Sequence, residues 1–308
     1  MKTIAILLFI SLSNVLLSQN IVTDTTAEVV AYWKKGDFRL LEKTTTREKY
    51  VNDAMVFKTT SASDIVMKVV EETEANYQVE WIFKDTRVSE TEEEIVKRIT
   101  ELTKDFRTVY KLSNTGMYEG IVNYEEMQNY FLRGLELMKE KYGVDTMGKQ
   151  VFGIIKQIFE TRETAEAGFA KEIQLYHFPY GAEYTLNQEV NEEITLPNPF
   201  TGDPIQAYIK FKMTNLDIPK MTCRIEGTMH ITEEDSKKFV KDFIQKLKEK
   251  GADKIPAESD IPPMVIIDTY VHDIELLNGW VTNVKYVRSV KSGIVTQVDT
   301  TSMQLKNP

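Results

Sequence analysis

The stretch YQVEWIFK at residues 77–84 decides the fold class. Large apolar side chains occupy its odd positions, from Tyr77 to Phe83, while most of its even positions are polar. A period of two residues is typical of a β-strand with one buried face. The polar residues 73–76 connect this strand to an apolar run at residues 65–72, and so short a connection predicts an antiparallel hairpin.

Further hairpins are predicted on both sides of this strand. Turn residues separate alternating runs at Asn114-Thr115-Gly116, at Asn278-Gly279 and at Lys291-Ser292-Gly293. Glycine and asparagine favour such positions because they adopt positive φ angles at little cost. Residues 27–35 are predicted to form a short helix that packs through Val30 and Trp33.

The central part of the chain, residues 123–178, is predicted to be helical. Asn123 is a good N-cap, and apolar side chains such as Met127 and Phe131 then recur at helical spacing. Two further helices are predicted after Thr91 and Thr232, each of which is followed three residues later by an acidic residue. The central apolar faces are expected to pack against the strands and brace them.

These elements predict an α+β fold with a curved antiparallel meander in two similar β-rich halves. The halves are residues 19–122 and 179–308, and the helical segment 123–178 lies between them. Each half has strands, a capped helix and a hairpin that turns on asparagine and glycine, which is compatible with duplication or with ordinary meander architecture. The sequence leaves open whether the halves form one sheet or two.

The first 18 residues resemble a secretory signal peptide. A short basic start, Met1-Lys2-Thr3, precedes a mostly apolar run at residues 4–17, and cleavage is expected near Ser18 and Gln19. We therefore expect a secreted or periplasmic protein with no integral membrane span in the mature chain. A retained N-terminal anchor is the alternative.

Composition excludes some classes of function. The formal net charge of −9 argues against nucleic-acid binding, which depends on lysine and arginine at phosphates. With Cys223 as the single cysteine, no internal disulfide is predicted, and its alternating surroundings indicate a buried structural thiol.

No catalytic or cofactor motif is present. The three histidines lack the spacing of zinc ligands, and there is no P-loop, nucleophile elbow or dinucleotide fingerprint, so no metal and no cofactor are predicted. Asp268 and His272 share one face of a predicted strand, which keeps a hydrolase as a third hypothesis. A solvated strand face with one histidine is the simpler interpretation.

Two features suggest binding. Aromatic side chains on the β-rich segments could line an apolar groove on a curved sheet, although they could equally form the core. These residues are Tyr77, Trp81, Phe83, Tyr208, Phe211, Trp280 and Tyr286. The loop LPNPFTGDP at residues 196–204 could present Pro197, Pro199 and Phe200 to a partner, or serve as a stiff connector.

Several of these stretches resemble uncharacterised secreted envelope proteins of gram-negative bacteria. The resemblance rests on the leader that ends Leu-Ser-Gln, on the Asn-Thr-Gly and Leu-Asn-Gly turns, and on LPNPF. At the level of fold alone, the order of elements is similar to the half-barrel of periplasmic lipoprotein carriers. That likeness implies a curved sheet and helices around a lipid-binding cavity.

The sequence therefore predicts an exported, non-enzymatic envelope protein. It would bind a hydrophobic or amphipathic ligand, such as a lipid, or another envelope component. A structural or protein-interaction module without a small-molecule pocket is the alternative.

Overall fold

The computed structural model describes residues 22–89, 105–142, 161–197, 204–249, 262 and 264–306. The predicted signal peptide and the predicted helix after Thr91 lie outside these residues. The strands are β1 (Thr26–Glu28), β2 (Phe38–Val51), β3 (Ala54–Glu72), β4 (Asn76–Val88), β5 (Arg107–Ser113), β6 (Tyr118–Ile121), β7 (Glu183–Thr185), β8 (Glu189–Pro197), β9 (Pro204–Asp217), β10 (Thr222–Ile231), β11 (Met264–Glu275), β12 (Trp280–Ser292) and β13 (Val295–Leu305). The helices are α1 (Tyr124–Tyr142), α2 (Arg162–Phe169), α3 (Lys171–His177) and α4 (Glu233–Glu249).

Eleven of the described strands form one antiparallel sheet in the order β6-β5-β4-β3-β2-β13-β12-β11-β10-β9-β8. Each half is a meander, and the first long strand, β2, pairs with the last, β13, from Leu41 opposite Leu305 to Val51 opposite Val295. This pairing joins the two β-rich halves into a single sheet. The predicted α+β class with antiparallel meanders is confirmed.

Turn chemistry sets the hairpins. Asn52 and Asp53 connect β2 to β3 with φ angles of 51° and 62°, the left-handed conformation that a two-residue hairpin turn requires. At the predicted Asn278-Gly279 turn, Gly279 has a φ of 70°, and a Cβ there would lie 2.0 Å from the Val30 carbonyl oxygen. A larger residue would collide with the backbone, so glycine is required at this position.

Core side chains project from one face of the sheet, here called the inner face. Leu41, Ile65 and Met303 are fully buried on its central strands. Helix α4 covers part of this face with Val240 and Ile244, which are also buried. Its start confirms the predicted cap, since the Asp235 amide donates to Thr232 Oγ1 over 3.0 Å.

The sheet curves around the short helix α3. The Tyr110 hydroxyl oxygen, on β5, lies 3.0 Å from His177 Nε2. His272 Nε2, on β11, lies 2.7 Å from the Leu175 carbonyl oxygen. Those strands are six positions apart in the sheet order, about 29 Å in a flat sheet at the usual strand spacing. Two neighbouring positions of one helix cannot bridge that distance, so the sheet wraps around it.

Residues 27–33 lie inside this curve, and the predicted helix over residues 27–35 is wrong. Beyond β1 the segment has no regular structure. The amides of Val29, Ala31 and Tyr32 donate to carbonyl oxygens of three separate segments, those of Ala182, Thr115 and Asn278. Partners made across the fold replace the hydrogen bonds that a helix would have made within itself.

Helix α1 starts where the sequence predicts and packs as a brace. Met127, Phe131 and Leu135 are buried in one cluster with Phe106 of the neighbouring strand segment, which confirms the expected burial of this helical face. The Asn123 carbonyl accepts from the Met127 amide, while its side-chain oxygen accepts from the Val109 amide over 2.7 Å and ties the helix to β5. Residues 143–160, within the same central segment, lie outside the described residues.

Candidate functional site

The inner face changes character along its strands. At one end, here called the apolar end, the central strands carry Leu41, Ile65, Val284, Ile274 and Met303. Further along the same strands and on the same face, here called the polar end, they carry Arg47, Thr59, Arg288, Asp268 and Asp299. One face of one sheet therefore presents two chemically different surfaces.

The apolar end is filled by side chains. Trp33 stacks on Trp280 with ring centroids 4.3 Å apart, and the Tyr77 hydroxyl donates to the Ala31 carbonyl over 3.1 Å. Tyr176 of α3 donates to the Val281 carbonyl over 2.9 Å, and its ring meets that of Trp81 edge-on. These contacts bury the large aromatic rings and leave them little free surface, and the buried indole N–H groups of Trp33 and Trp81 have no hydrogen-bond partner among the described residues.

The polar end contains a row of alternating charges across four adjacent strands. Register places Arg47 of β2 opposite Asp299 of β13, Asp299 opposite Arg288 of β12, and Arg288 opposite Asp268 of β11. Arg47 Nε lies 2.9 Å from Asp299 Oδ1. Residues directly opposite each other share a face, so the whole row lies on the inner side.

Asp268 and Arg288 form the buried part of this row. Arg288 donates from Nε and Nη2 to the two carboxylate oxygens over 2.8 and 2.7 Å. The Asp268 side chain is 1% exposed, whereas that of Arg288 is 35% exposed. The carboxylate hydrogen bond raises the pKa of Arg288, and burial raises the pKa of the adjacent Tyr286. This bidentate geometry fixes the orientation of the guanidinium.

Helix α3 places two more charged residues beside the row. Glu172 accepts from Lys43 Nζ over 2.7 Å, which ties α3 to β2. Lys171 Nζ lies 5.2 Å from the centre of the Tyr286 ring. Burial and the neighbouring Arg288 lower the pKa of Lys171, because both disfavour its positive charge. The polar end therefore combines strand and helix side chains.

Asp268 and His272 lie on the same inner-facing side of β11, as the sequence indicates, but they are engaged elsewhere. Both Asp268 oxygens accept from Arg288, and His272 donates from Nε2 to the Leu175 carbonyl. Burial lowers the pKa of His272 to about 4, and both side chains are 1% exposed. The carboxylate does not orient the imidazole as it would in a catalytic pair.

The other titratable side chains considered in the sequence, His177 and Cys223, are also buried. His177 donates from Nδ1 to the Gly116 carbonyl and accepts from Tyr110, and burial lowers its pKa to about 3. Cys223 is buried, as the sequence predicts, and burial raises the pKa of its thiol to about 12. Within the described residues, no group of three or more His, Cys, Asp or Glu side chains is placed to hold a metal ion.

The structure separates the predicted aromatic binding residues. Tyr77, Trp81 and Trp280 lie in the filled apolar end. Three others are buried or partly buried elsewhere on the inner face: Phe83 beside Lys43, Phe211 against Phe178, and Tyr286 beside Arg288. Tyr208 points to the opposite, outer face, where it is 40% exposed and stacks on His230. The seven side chains are therefore not one continuous lining.

The predicted interaction loop is described only at its ends. Pro197 closes β8 opposite Pro204 at the start of β9. Strand β8 is at the edge of the sheet, where proline is tolerated because one side of the strand needs no donor. Pro199 and Phe200 lie outside the described residues.

An exposed apolar group lies at the tip of the β2–β3 hairpin. Met55, Val56 and Phe57 are 56%, 58% and 36% exposed. Ile294, in the neighbouring turn between β12 and β13, is 60% exposed, and its carbonyl accepts from the Asn52 amide. Exposed apolar side chains on these two neighbouring turns form a surface patch of the kind through which proteins contact one another.

No protein-family model matches the chain, and no curated protein sequence matches it. Among solved structures, the chain is similar to one that concerns lipid–protein interactions in lipovitellin. The TM-score is 0.40 at 7% sequence identity, over 89% of this chain and 25% of that one. The chain thus spans about a quarter of that lipovitellin chain. A likeness this weak says nothing about whether the present protein binds a ligand. None of the described helices is long and apolar enough to cross a membrane.

Sequence reasoning missed the charged row and Lys171. Arg47, Arg288 and Asp299 occur in separate strands with no motif spacing, and only strand register brings them together. A signal was present for one pair. The Asn278-Gly279 turn aligns β11 with β12, and a one-residue irregularity after Asp273 sets Asp268 opposite Arg288.

Proposed function

We propose that this is an exported, non-enzymatic protein of the cell envelope that binds a hydrophobic or amphipathic ligand on the inner face of its sheet. The division of that face into an apolar end and a polar end carries the proposal. An amphipathic molecule needs an apolar wall beside polar groups, and pockets for such ligands are mostly apolar with a few placed polar groups.

The space for the ligand is assigned to the polar end, because the apolar end is filled. Thr45, Ser61 and Thr301 line the polar end with partly exposed hydroxyl groups. Phe83, which is only partly buried, provides apolar surface at the border with the core. Asp268 and His272, each held by another group, support binding rather than hydrolysis.

Native mass spectrometry of protein purified from its own host tests the proposal. We expect a lipid-sized mass to co-purify, and lipid extracts to restore it after delipidation. Thr45→Trp should abolish this mass by filling the polar end. Thr44→Trp is the matched control, since Thr44 is the adjacent residue of β2 and points to the outer face.

Absence of any lipid-sized mass, together with no shift on adding lipid extracts, would overturn the ligand proposal. Equal loss in both tryptophan variants would also contradict it, because the outer-face change should not matter. The export part has a separate test: fractionation of host cells should place the protein outside the cytoplasm, with Gln19 as the mature N-terminus.

The second candidate function is a protein-interaction module, favoured by the exposed tip at Met55, Val56 and Ile294. A photocrosslinker at Val56 should then capture a defined envelope protein. The same crosslinker at Lys68, an exposed position on the same strand β3, should not. Crosslinking at both positions alike would contradict this candidate.

A further inference from the structure

Two cationic side chains lie beside the Tyr286 ring at the polar end. Lys171 Nζ is 5.2 Å from the ring centre, and the Arg288 guanidinium carbon is 5.9 Å from it. Lys171 begins α3 and reaches toward β12, while Arg288 stands on β12 two residues after Tyr286. Helix and sheet therefore bring two positive charges to one aromatic ring.

The carboxylates near Lys171 are each engaged by a different cation. Three acidic groups act on its charge, those of Asp268, Glu172 and Asp299. They form ion pairs with Arg288, Lys43 and Arg47, respectively. Three acids thus face four cations, and Lys171 is the cation left without an ion-pair partner in the part of the chain that the structure describes.

Arg288 retains donor capacity as well. A guanidinium carries five N–H groups, and the bidentate contact with Asp268 uses Nε and Nη2. Among the described residues, Nη1 donates to no carboxylate or carbonyl oxygen. The Arg288 side chain is 35% exposed, so it is partly accessible at the polar end.

We infer that the ligand has an anionic end, a carboxylate or phosphate group, which is bound between Lys171 Nζ and Arg288 Nη1. This inference rests on the proposed ligand-binding function and names the chemical class of the ligand. One anionic group would neutralise the excess positive charge and use the remaining donors of both side chains. Asp268 then acts as a positioning residue, because it fixes the guanidinium from the opposite side.

The lowered pKa of Lys171 is consistent with this arrangement. Partial burial and Arg288 both oppose its charge, and the nearby carboxylates only partly offset them. A bound anion would stabilise the protonated amine, so the pKa of Lys171 should rise when the ligand binds. That shift supplies a readout that a purely structural role would not produce.

Binding of palmitate and of its uncharged methyl ester to the full chain, measured by titration calorimetry, tests the inference. We expect palmitate to bind more tightly than the ester, and Lys171→Gln to weaken palmitate about tenfold to a hundredfold. Lys171→Arg should retain most of the affinity. Lys285→Gln removes the same charge from the outer face of the same strand as Tyr286 and should leave binding unchanged.

Three other results would contradict either the anionic-end inference or the proposed function. If ester and acid bind equally, or if Lys171→Gln matches the wild type, the anionic-end inference fails while ligand binding stands. If palmitate, its methyl ester and a stable alkyl phosphate such as hexadecyl phosphate all fail to bind, the proposed function fails together with the inference. Inorganic phosphate is the remaining arm, and saturable binding of phosphate without any amphiphile would show a free-anion site and overturn the assignment to an amphipathic ligand.

Discussion

The apolar and polar ends of the inner face are built on the same strands, yet different forces hold them. At the apolar end, Trp33, Trp280 and Tyr176 are buried, and the two indole rings stack on each other. At the polar end, Arg47, Asp299 and other charged groups remain partly exposed and paired. Burial of apolar surface stabilises the first end, whereas partly exposed ion pairs contribute less to stability at the second, which is the end where we propose that a ligand binds.

The largest expected effect is at the apolar end. Trp280→Ala should lower the free energy of unfolding by about 3–5 kcal/mol, because it removes a buried ring and leaves a cavity against Trp33. Urea unfolding followed by circular dichroism measures the change. Tyr208→Ala on the outer face is the control and should cost less than about 1 kcal/mol. Similar losses in the two variants would break the comparison.

A smaller effect is expected at the buried part of the polar end. Asp268→Asn should cost about 2 kcal/mol, because Arg288 loses a charged partner but stays partly exposed. Asp299→Asn, the same change at the adjacent exposed pair, should cost less than about 1 kcal/mol.

The double substitution Asp268→Leu with Arg288→Met sharpens this test. It should recover most of the stability lost in Asp268→Asn, since no uncompensated charge remains buried. It should also lose binding of the anionic ligand. Chemical denaturation and ligand titration of the same samples separate the two effects.

The third effect concerns pH and is the smaller one when taken per pH unit. The pKa of folded His272 is about 4, against 6.5 for an unperturbed histidine. Below pH 6.5 the unfolded chain therefore takes up a proton that folded His272 does not. The free energy of unfolding should fall by up to about 1.4 kcal/mol per pH unit as the pH drops toward 4.

His272→Gln should reduce this pH dependence by one proton, because an amide does not titrate. Glutamine is chosen because its amide can still donate to the Leu175 carbonyl. Urea unfolding at pH 7, 6 and 5 measures the slope. His177, whose pKa is lowered to about 3, remains in the variant and maintains a residual slope. An unchanged slope would show that His272 titrates alike in the folded and the unfolded chain, which contradicts a pKa lowered by burial.

Local patterns predicted much of the fold. The alternation at residues 77–84, the Asn278-Gly279 turn and the Thr232 cap each depend on neighbours in sequence, and each is present. The burial of Cys223 also follows from its strand pattern. Such features are predictable because adjacent residues determine them.

Features that depend on distant pairing could not be predicted. Residues 27–33 adopt an extended path because their amides bond to segments far away in sequence. The join between β2 and β13 brings together residues near opposite ends of the described chain. The site has the same origin, since Lys171 and Arg288 meet only after the sheet curves around α3.

The join between β2 and β13 also constrains the order of folding. Either meander can form from hairpins that close short loops, whereas this pairing closes a loop of roughly the whole chain. The entropic cost of that closure makes it slow relative to hairpin formation. Until it occurs, both central strands present free edges that can pair with other chains. Formation of the β2–β13 pairing removes these free edges and so protects the chain from edge-to-edge aggregation.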